Sequence, residues 1–566
     1  MMRPVSRPLT SLLLTSLEWT SLLLTSLEWT SLSWTSLRIV LLLIGVPTVV
    51  AGQPSPRVPL GDPAYEQLDQ IVGSGLVRTV IYGQRPYTQH EIMRLLADAA
   101  TQARTRRVSE STARVLKQLS ARFATAGDTS DAPTLRSLAR VTSAEVLVLD
   151  SPSRDIPPAP VGSVDAALNP LLNARAGRRF AQGPTFAAEI GGTWAIGRHL
   201  MVSVQPRLAA GGTSTGRFAE ATLQHGTLAL AARNVRVEVG RQAIAWGPAM
   251  DGGLMLSSSG RPLDMLHVST EKPWRAPSVF RWLGLLRGSA FLADLGPRQN
   301  FPHAKIAAYK LSGQVTSYFE LSAAVLAHQG GRGAPPARLR DRFIDLVPAL
   351  KYTLPDRTAQ FSNKLAGWDM RVRIPMLHGL QLYTESVFDD MDPRRWRSTL
   401  WEDGGHIAGA SLAQLGPGGK LSATGEFHHT GLRYYQHTPF TSGIAFNRTL
   451  LGDPLGPQGD GAYLRVRHDA GGVHSWFVDA AVERRGGDIW STTSDGPRED
   501  RFRFVLQRHQ PAEWRYRVAG QWTVAPTPAQ RFTVQAGVER VRDAGFVYDA
   551  RRTNALAGAR WTWFAW

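Results

Sequence analysis

Gly212-Thr213-Ser214-Thr215-Gly216 has the G-x-S-x-G spacing of a nucleophile elbow, whose serine attacks a carbonyl. That chemistry needs a sharp strand-to-helix turn in an α/β sheet. Here the five residues lie in a Gly/Thr stretch between alternating segments, which reads as a loop between strands. His428-His429 offers two imidazoles, but neighbours on a strand point to opposite faces and cannot easily share one ion. Asp389, Asp390 and Asp392 could hold Ca²⁺ together with loop carbonyls; a solvated acidic loop is the simpler reading. Rim carboxylates beside a histidine could also activate water, which makes a barrel-rim hydrolase the third functional reading. The chain has 0 cysteines, which excludes disulfides, thiolate metal sites and a lipid-anchored cysteine. No catalytic residue, metal or cofactor is assigned.

Two other segments have the chemistry of sugar binding. Sugars present hydroxyls to planar polar groups and C–H faces to aromatic rings. The loop from Trp396 to Asp403 supplies both through Trp396, Trp401, Glu402 and Asp403. The segment from His428 to Tyr435 does so through His429, Arg433, Tyr434 and Tyr435. The competing reading for each residue is an aromatic girdle or loop packing. Scattered arginines would attract an acidic polysaccharide or lipopolysaccharide phosphates, or pair with glutamates across strands.

Such loops need a scaffold, and after Asp131 the hydrophobic period is two. Phe532, Val534, Ala536 and Val538 alternate with Thr533, Gln535, Gly537 and Glu539. Trp514, Tyr516, Val518 and Trp522 alternate with Arg515, Arg517, Gln521 and Thr523, and Pro526 to Ala529 makes the turn between the two. Similar runs occur at Leu200–Val204, Trp476–Val482 and Phe502–Leu506. The net charge of +18 is spread as single arginines such as Arg501, Arg503, Arg515 and Arg517, one polar face of a sheet rather than a nucleic-acid patch. The 17 tryptophans favour a membrane interface. Arg38 followed by the apolar run Ile39 to Ala51 reads as a secretory signal, too short for a spanning helix, which needs about 20 residues. The Thr-Ser-Leu repeat from Thr10 to Leu37 reads as translated from upstream of the true start. A membrane protein without spanning helices crosses as a closed barrel.

About 430 residues, at roughly 24 per strand with its connection, predict an antiparallel transmembrane β-barrel of about 18 strands with both ends in the periplasm. One tension remains in that count. The 485–499 connection falls on the periplasmic side yet is long, and 509–513 falls outside yet is short. The expected organisation is a signal and repeat over 1–52, a small α-helical periplasmic domain over 53–131 and the barrel over 132–566. Asp62 with Pro63 should start the first helix, Thr88 to Glu91 is a capping box flanked by Tyr87 and Ile92, and Val115, Leu116, Leu119 and Phe123 mark a third helix. The aromatic end Trp561-Thr562-Trp563-Phe564-Ala565-Trp566 looks like the signal read by the outer-membrane barrel assembly machinery.

Gly240-Arg241-Gln242-Ala243-Ile244-Ala245-Trp246-Gly247-Pro248 ends an alternating strand and runs into a polar loop reaching Pro262-Leu263-Asp264, which fits a sheet rim. This segment resembles the GRQ-x-I-x-WGP and PLD-like pieces of the Wzi-like capsule assembly family. Gly240, Arg241, Trp246, Gly247 and Pro248 carry the motif. Val58-Pro59-Leu60 through Tyr87-Thr88, Tyr383 to Asp390 followed by Pro393 and Trp396, and Gly452-Asp453-Pro454-Leu455-Gly456-Pro457 resemble further pieces in the same order. The resemblance implies a non-enzymatic, monomeric surface lectin in the outer membrane of a Gram-negative-type bacterium. Its partners would be capsular or exopolysaccharide, outer-membrane lipid and lipopolysaccharide, with no nucleic acid. The runner-up is a porin-like channel with the helices as a plug.

Overall fold

A strand turns every second side chain to the same face, and here one face is apolar and the other charged. The computed structural model describes residues 54–123, 136–156, 164–197, 199–213, 216–276, 278–347, 362–389, 400–437, 439–493 and 503–565. The signal and repeat lie outside them, as do Ser214, Thr215, Asp390, Asp392 and Trp396.

Eighteen antiparallel strands close into one barrel. The first five are β1 (Arg136–Leu149), β2 (Gly183–Ile196), β3 (Leu200–Thr213), β4 (Gly216–Ala232) and β5 (Val235–Gln242). They are followed by β6 (Leu263–Thr270), β7 (Leu285–Asp294), β8 (Lys305–Thr316), β9 (Phe319–Gln329), β10 (Ser362–Ile374) and β11 (Leu380–Asp389). The last seven are β12 (Gly404–Leu415), β13 (Leu421–Thr430), β14 (Gly459–Asp469), β15 (His474–Arg485), β16 (Glu513–Thr527), β17 (Gln530–Arg542) and β18 (Arg551–Ala565). β1 bonds to β2 on one side and to β18 on the other, which closes the sheet.

Connections at the end where β1 begins and β18 finishes are mostly short, such as 233–234, 375–379, 416–420 and 528–529. At the opposite end 150–182, 243–262, 330–361, 431–458 and 486–512 are long. Short turns belong to the periplasmic side and long loops to the outer side. The expected strand at Phe502, Phe504 and Leu506 is corrected for Phe504 and Leu506, Phe502 lying outside the described residues. Arg503–Arg508 pairs with Ile489–Thr493 as a separate hairpin, so 486–512 is a single outer loop and the tension in the count disappears. Alternation reports a strand, not its partner. Arg503 therefore lies in that hairpin, whereas Arg515 and Arg517 face the lumen.

The parity of the barrel wall follows from exposure. Phe532, Val534 and Val538 are 42%, 38% and 47% exposed, while Arg531 and Glu539, which flank this run with the opposite parity, are buried. Inside, arginines meet acids: Arg515 Nε lies 2.7 Å from Glu513 and Arg517 Nη1 3.1 Å from Glu483. At the C-terminus Trp561 and Trp563 turn outward, and Phe564 turns inward beneath the Arg122 guanidinium, 4.5 Å from its ring centroid. That inward ring explains why both parities of this strand carry aromatics.

Among the described residues three helices precede the barrel: α1 (Ala64–Gly73), α2 (Gln89–Ala103) and α3 (Glu110–Phe123). Asp62 accepts the Ala64 N–H at 2.8 Å, and Thr88 accepts the Glu91 N–H at 3.2 Å. Glu91 turns to Arg94 (2.8 Å), so only half of the capping box forms. Val115, Leu119 and Phe123 bury against Leu68, Ile71, Ile92 and Leu95 in one helical core. The helices are not free of the barrel. Ser111 donates to the Gly419 carbonyl in the β12–β13 turn (2.9 Å), and Arg373 donates to the Val77 carbonyl (3.2 Å). The segment between α1 and α2 enters the lumen, where Gln84-Arg85 pairs with Ala245-Trp246 from an outer loop.

Candidate functional site

The motif that ends β5 folds inward rather than standing at an exposed rim. Gly240 has φ +126°, and a Cβ there would lie 2.1 Å from the Gly226 carbonyl oxygen, so only glycine fits. Arg241 and Asp264 are register partners and form a two-point ion pair at 2.8 and 2.5 Å. Trp246 is 1% exposed and packs on Phe291 at 5.4 Å. The Gly247 N–H donates to the Gly83 carbonyl at 3.2 Å, and the Pro248 carbonyl accepts from Arg371. The expectation of a rim position is thus corrected. The loop 243–262 is pulled into the lumen because Trp246 has a buried apolar site there.

Loop 431–458 meets it from the same side. Tyr434, Tyr435, Ile444, Leu450 and Leu451 share one core with Trp246, Leu254 and the luminal residues Leu326, Leu365 and Ile407. The Tyr435 hydroxyl donates to the Leu254 carbonyl and accepts the Asp453 N–H (2.7 Å). Burial raises its pKa further above the ordinary tyrosine value. Asp453 accepts from His428 Nδ1 at 2.6 Å, and Glu426 accepts from His428 Nε2 at 3.0 Å. Glu426 also accepts the Tyr383 hydroxyl at 2.5 Å and the Met250 N–H at 2.8 Å. Glu385 accepts the Leu254 N–H at 3.0 Å. Three motif pieces far apart in sequence, around Trp246, Glu385 and Asp453, therefore meet in one luminal joint.

The eight candidate sugar contacts are divided by this arrangement. His428 and His429 are not in a loop but at the end of β13, on opposite faces as their adjacency requires. His429 points outward, takes Asp460 at 2.8 Å and the Trp401 carbonyl at 2.9 Å, and stacks on the Trp401 ring at 3.7 Å and 19°. His406 continues the stack 6.0 Å from His429. Trp401 is 57% exposed. Asp403 is pinned by the Arg433 guanidinium, and the Arg433 N–H donates to the Glu402 carbonyl at 3.0 Å. Tyr434 and Tyr435 are both 0% exposed and present no ring face to solvent. Trp396 lies outside the described residues. Gly212-Thr213 and Gly216 belong to the ends of β3 and β4, so the G-x-S-x-G match spans a strand-to-strand hairpin. Among the described residues no group of three His, Cys, Asp or Glu is placed to hold a metal.

Between the helical segment and the loop cap lies a cavity of about 480 Å³, lined by charged and apolar side chains alike. Its arginines are held by acids: Arg175 by Glu145 (3.0 Å), Arg178 by Glu189 (2.6 Å) and Arg465 by Asp479 (2.6 Å). Asp251, on loop 243–262, also lines it, and burial raises its carboxyl above the ordinary value. Sequence reasoning missed this joint. Its signal was the order of the short motif pieces, not any one of them.

The family model described as capsule assembly protein Wzi matches residues 153–487. None of the curated proteins compared matches the chain. Among solved structures, the chain is similar to Wzi of Escherichia coli, described as an outer membrane protein involved in group 1 capsule assembly and a carbohydrate-binding β-barrel. The two are 18% identical over 89% of this chain and 99% of that one, with a TM-score of 0.61, a likeness of fold. Pseudomonas aeruginosa OccD3 (10% identity, 78% of this chain and 93% of that one, TM-score 0.42) and OprD (9%, 78% and 97%, 0.42) are more distant.

Proposed function

The chain belongs to the Wzi capsule assembly family of outer-membrane β-barrels, and from that premise we propose that it binds and organises capsular or exopolysaccharide at the cell surface without catalysing a reaction. The observation that carries this reading is Trp401. Its ring is held by the His429 stack and its segment by the Arg433–Asp403 pair, yet its face stays open at the outer end of the barrel. A fixed, exposed ring offers a sugar C–H face contact at little entropic cost. Glu402 follows it in the chain, and Asp460 holds the His429 ring on which it stacks. The similar E. coli barrel is described as carbohydrate-binding, which agrees with this reading.

Trp401→Ala should release polysaccharide into the medium while leaving barrel insertion unchanged. Tyr434→Phe should leave retention unchanged, because that ring faces the core. Full retention by a correctly inserted Trp401→Ala protein would move the glycan surface elsewhere. Unchanged surface polysaccharide after deletion of the whole protein would remove the lectin reading altogether.

A further inference from the structure

Side chains on adjacent strands that stand opposite one another form rows across a sheet, and like charges placed directly opposite destabilise it. One row crosses the outer ends of β13 to β18. It runs His429, Asp460, Arg484, Trp514, Arg542, Arg551, each the register partner of the next. The row below it, towards the membrane, runs Phe427, Ala462, Val482, Tyr516, Arg540. The row below that is Gly425, Leu464, Ala480, Val518, Val538, which is apolar throughout. All three have the outward parity of the exposed residues Val482, Val518 and Val538. The arginines therefore crown the lipid-facing wall where it meets the outer interface.

The charges along this crown are not balanced. Asp460 serves the acidic end, 2.8 Å from His429 and 3.6 Å from Arg484. Past Trp514, Arg542 and Arg551 stand directly opposite each other, with Arg540 one row below, and all three are exposed. Among the described residues none of the three has a carboxylate within 4 Å. The nearby loop carboxylate of Asp543 is turned to the Asp549 N–H at 2.9 Å. The luminal face of the same strands is built the opposite way, with Arg515 and Arg517 each against a glutamate. An arginine on the lipid face is tolerated near the interface and costly at mid-plane, so the depth of these side chains is what a headgroup contact requires. An anion between Arg542 and Arg551 would turn a repulsion into charge-assisted hydrogen bonds of the planar, two-point kind that guanidinium makes with phosphate. Trp514 and Tyr516 flank the arginines with rings suited to the polar–apolar boundary.

We infer that this outer ridge binds a phosphate of a phosphorylated outer-leaflet glycolipid, the lipid A part of lipopolysaccharide. The ridge lies on β15 to β18, away from the Trp401 ring over β12 and β13, and stands independently of the polysaccharide reading. The full chain would be placed in phosphatidylcholine nanodiscs containing bisphosphorylated lipid A, and bound glycolipid measured by native mass spectrometry. Arg540→Gln, Arg542→Gln and Arg551→Gln together should weaken retention by about tenfold or more. The charge-matched change of the exposed loop arginines Arg332, Arg338 and Arg340 to Gln should not. Lipid A stripped of both phosphates should bind the parent as weakly as intact lipid A binds the triple variant. Heat-modifiable migration on gels would confirm that each variant is folded. Equal retention by parent and triple variant, or equal binding of the dephosphorylated lipid, would overturn the inference. So would a triple variant that keeps lipid A but loses a soluble acidic polysaccharide, since the ridge would then be a glycan surface.

Discussion

At the scale of single residues, the side chains quoted for sugar chemistry do different work. Trp401 is open, Asp403 and Arg433 pin a turn, and Tyr434 and Tyr435 are core. Trp246 is the most consequential of the motif residues, because it packs on Phe291 while its backbone pairs with Gln84. Trp246→Ala should cost about 3–5 kcal/mol through the cavity it leaves. The expected reading is a lowered denaturant midpoint for the folded, heat-modifiable form. A midpoint equal to the parent's would mean that the joint is dispensable. Tyr435→Phe should cost about 1–3 kcal/mol, since it strips the Asp453 N–H and the Leu254 carbonyl of a buried partner.

At the scale of elements, two tests separate the faces of the wall and the seating of the helices. Val534 faces lipid, so Val534→Arg should cost about 2–4 kcal/mol near mid-plane and reduce assembled barrel. Gln535 accepts from Arg175 at 2.5 Å inside the lumen, so Gln535→Glu should assemble normally. Equal assembly defects would contradict the parity of β17. The helices are held by Asp62, whose two oxygens take Arg122 at 2.7 and 2.5 Å. Burial raises the Asp62 carboxyl, but Arg122 outweighs it and holds the pKa below the ordinary carboxylate value. A folded pKa below the unfolded one means that the unfolded state binds more protons. The stabilisation is therefore complete at neutral pH and is lost as pH falls below about 4. Protease cleavage within 54–123 should rise at that pH in the parent. Asp62→Asn should show the raised cleavage already at pH 7, and a flat pH profile in the parent would refute this role.

At the scale of the whole molecule, the barrel is occupied by its own chain from both ends. The helices pack on the end that carries the short turns, Gln84-Arg85 enters the lumen from there, and loops 243–262 and 431–458 fold in from the opposite end around one apolar core. That arrangement argues against the porin-like alternative. The intact protein in planar bilayers should give no steady conductance. Stable channels in the parent would return the porin reading to first place.

Period-two alternation over most of the chain was enough to read a barrel of about 18 strands, its lipid face and its luminal arginines, because side-chain parity is a local property of a strand. The helix signals at Asp62, Thr88 and Val115 were legible for the same reason, since caps and apolar stripes act within a few residues. Phe504 and Leu506 show the limit of that reading. Their alternation is local, but whether they pair with the barrel or with residues 489–493 is decided by chain closure around them. The burial of Tyr434, the inward path of Trp246 and the meeting of Glu385, His428 and Asp453 depend on contacts spanning tens to hundreds of positions. So does the row that places Arg542 against Arg551. Neither spacing nor composition encodes such distances, because only closure of the barrel sets which strand ends stand side by side.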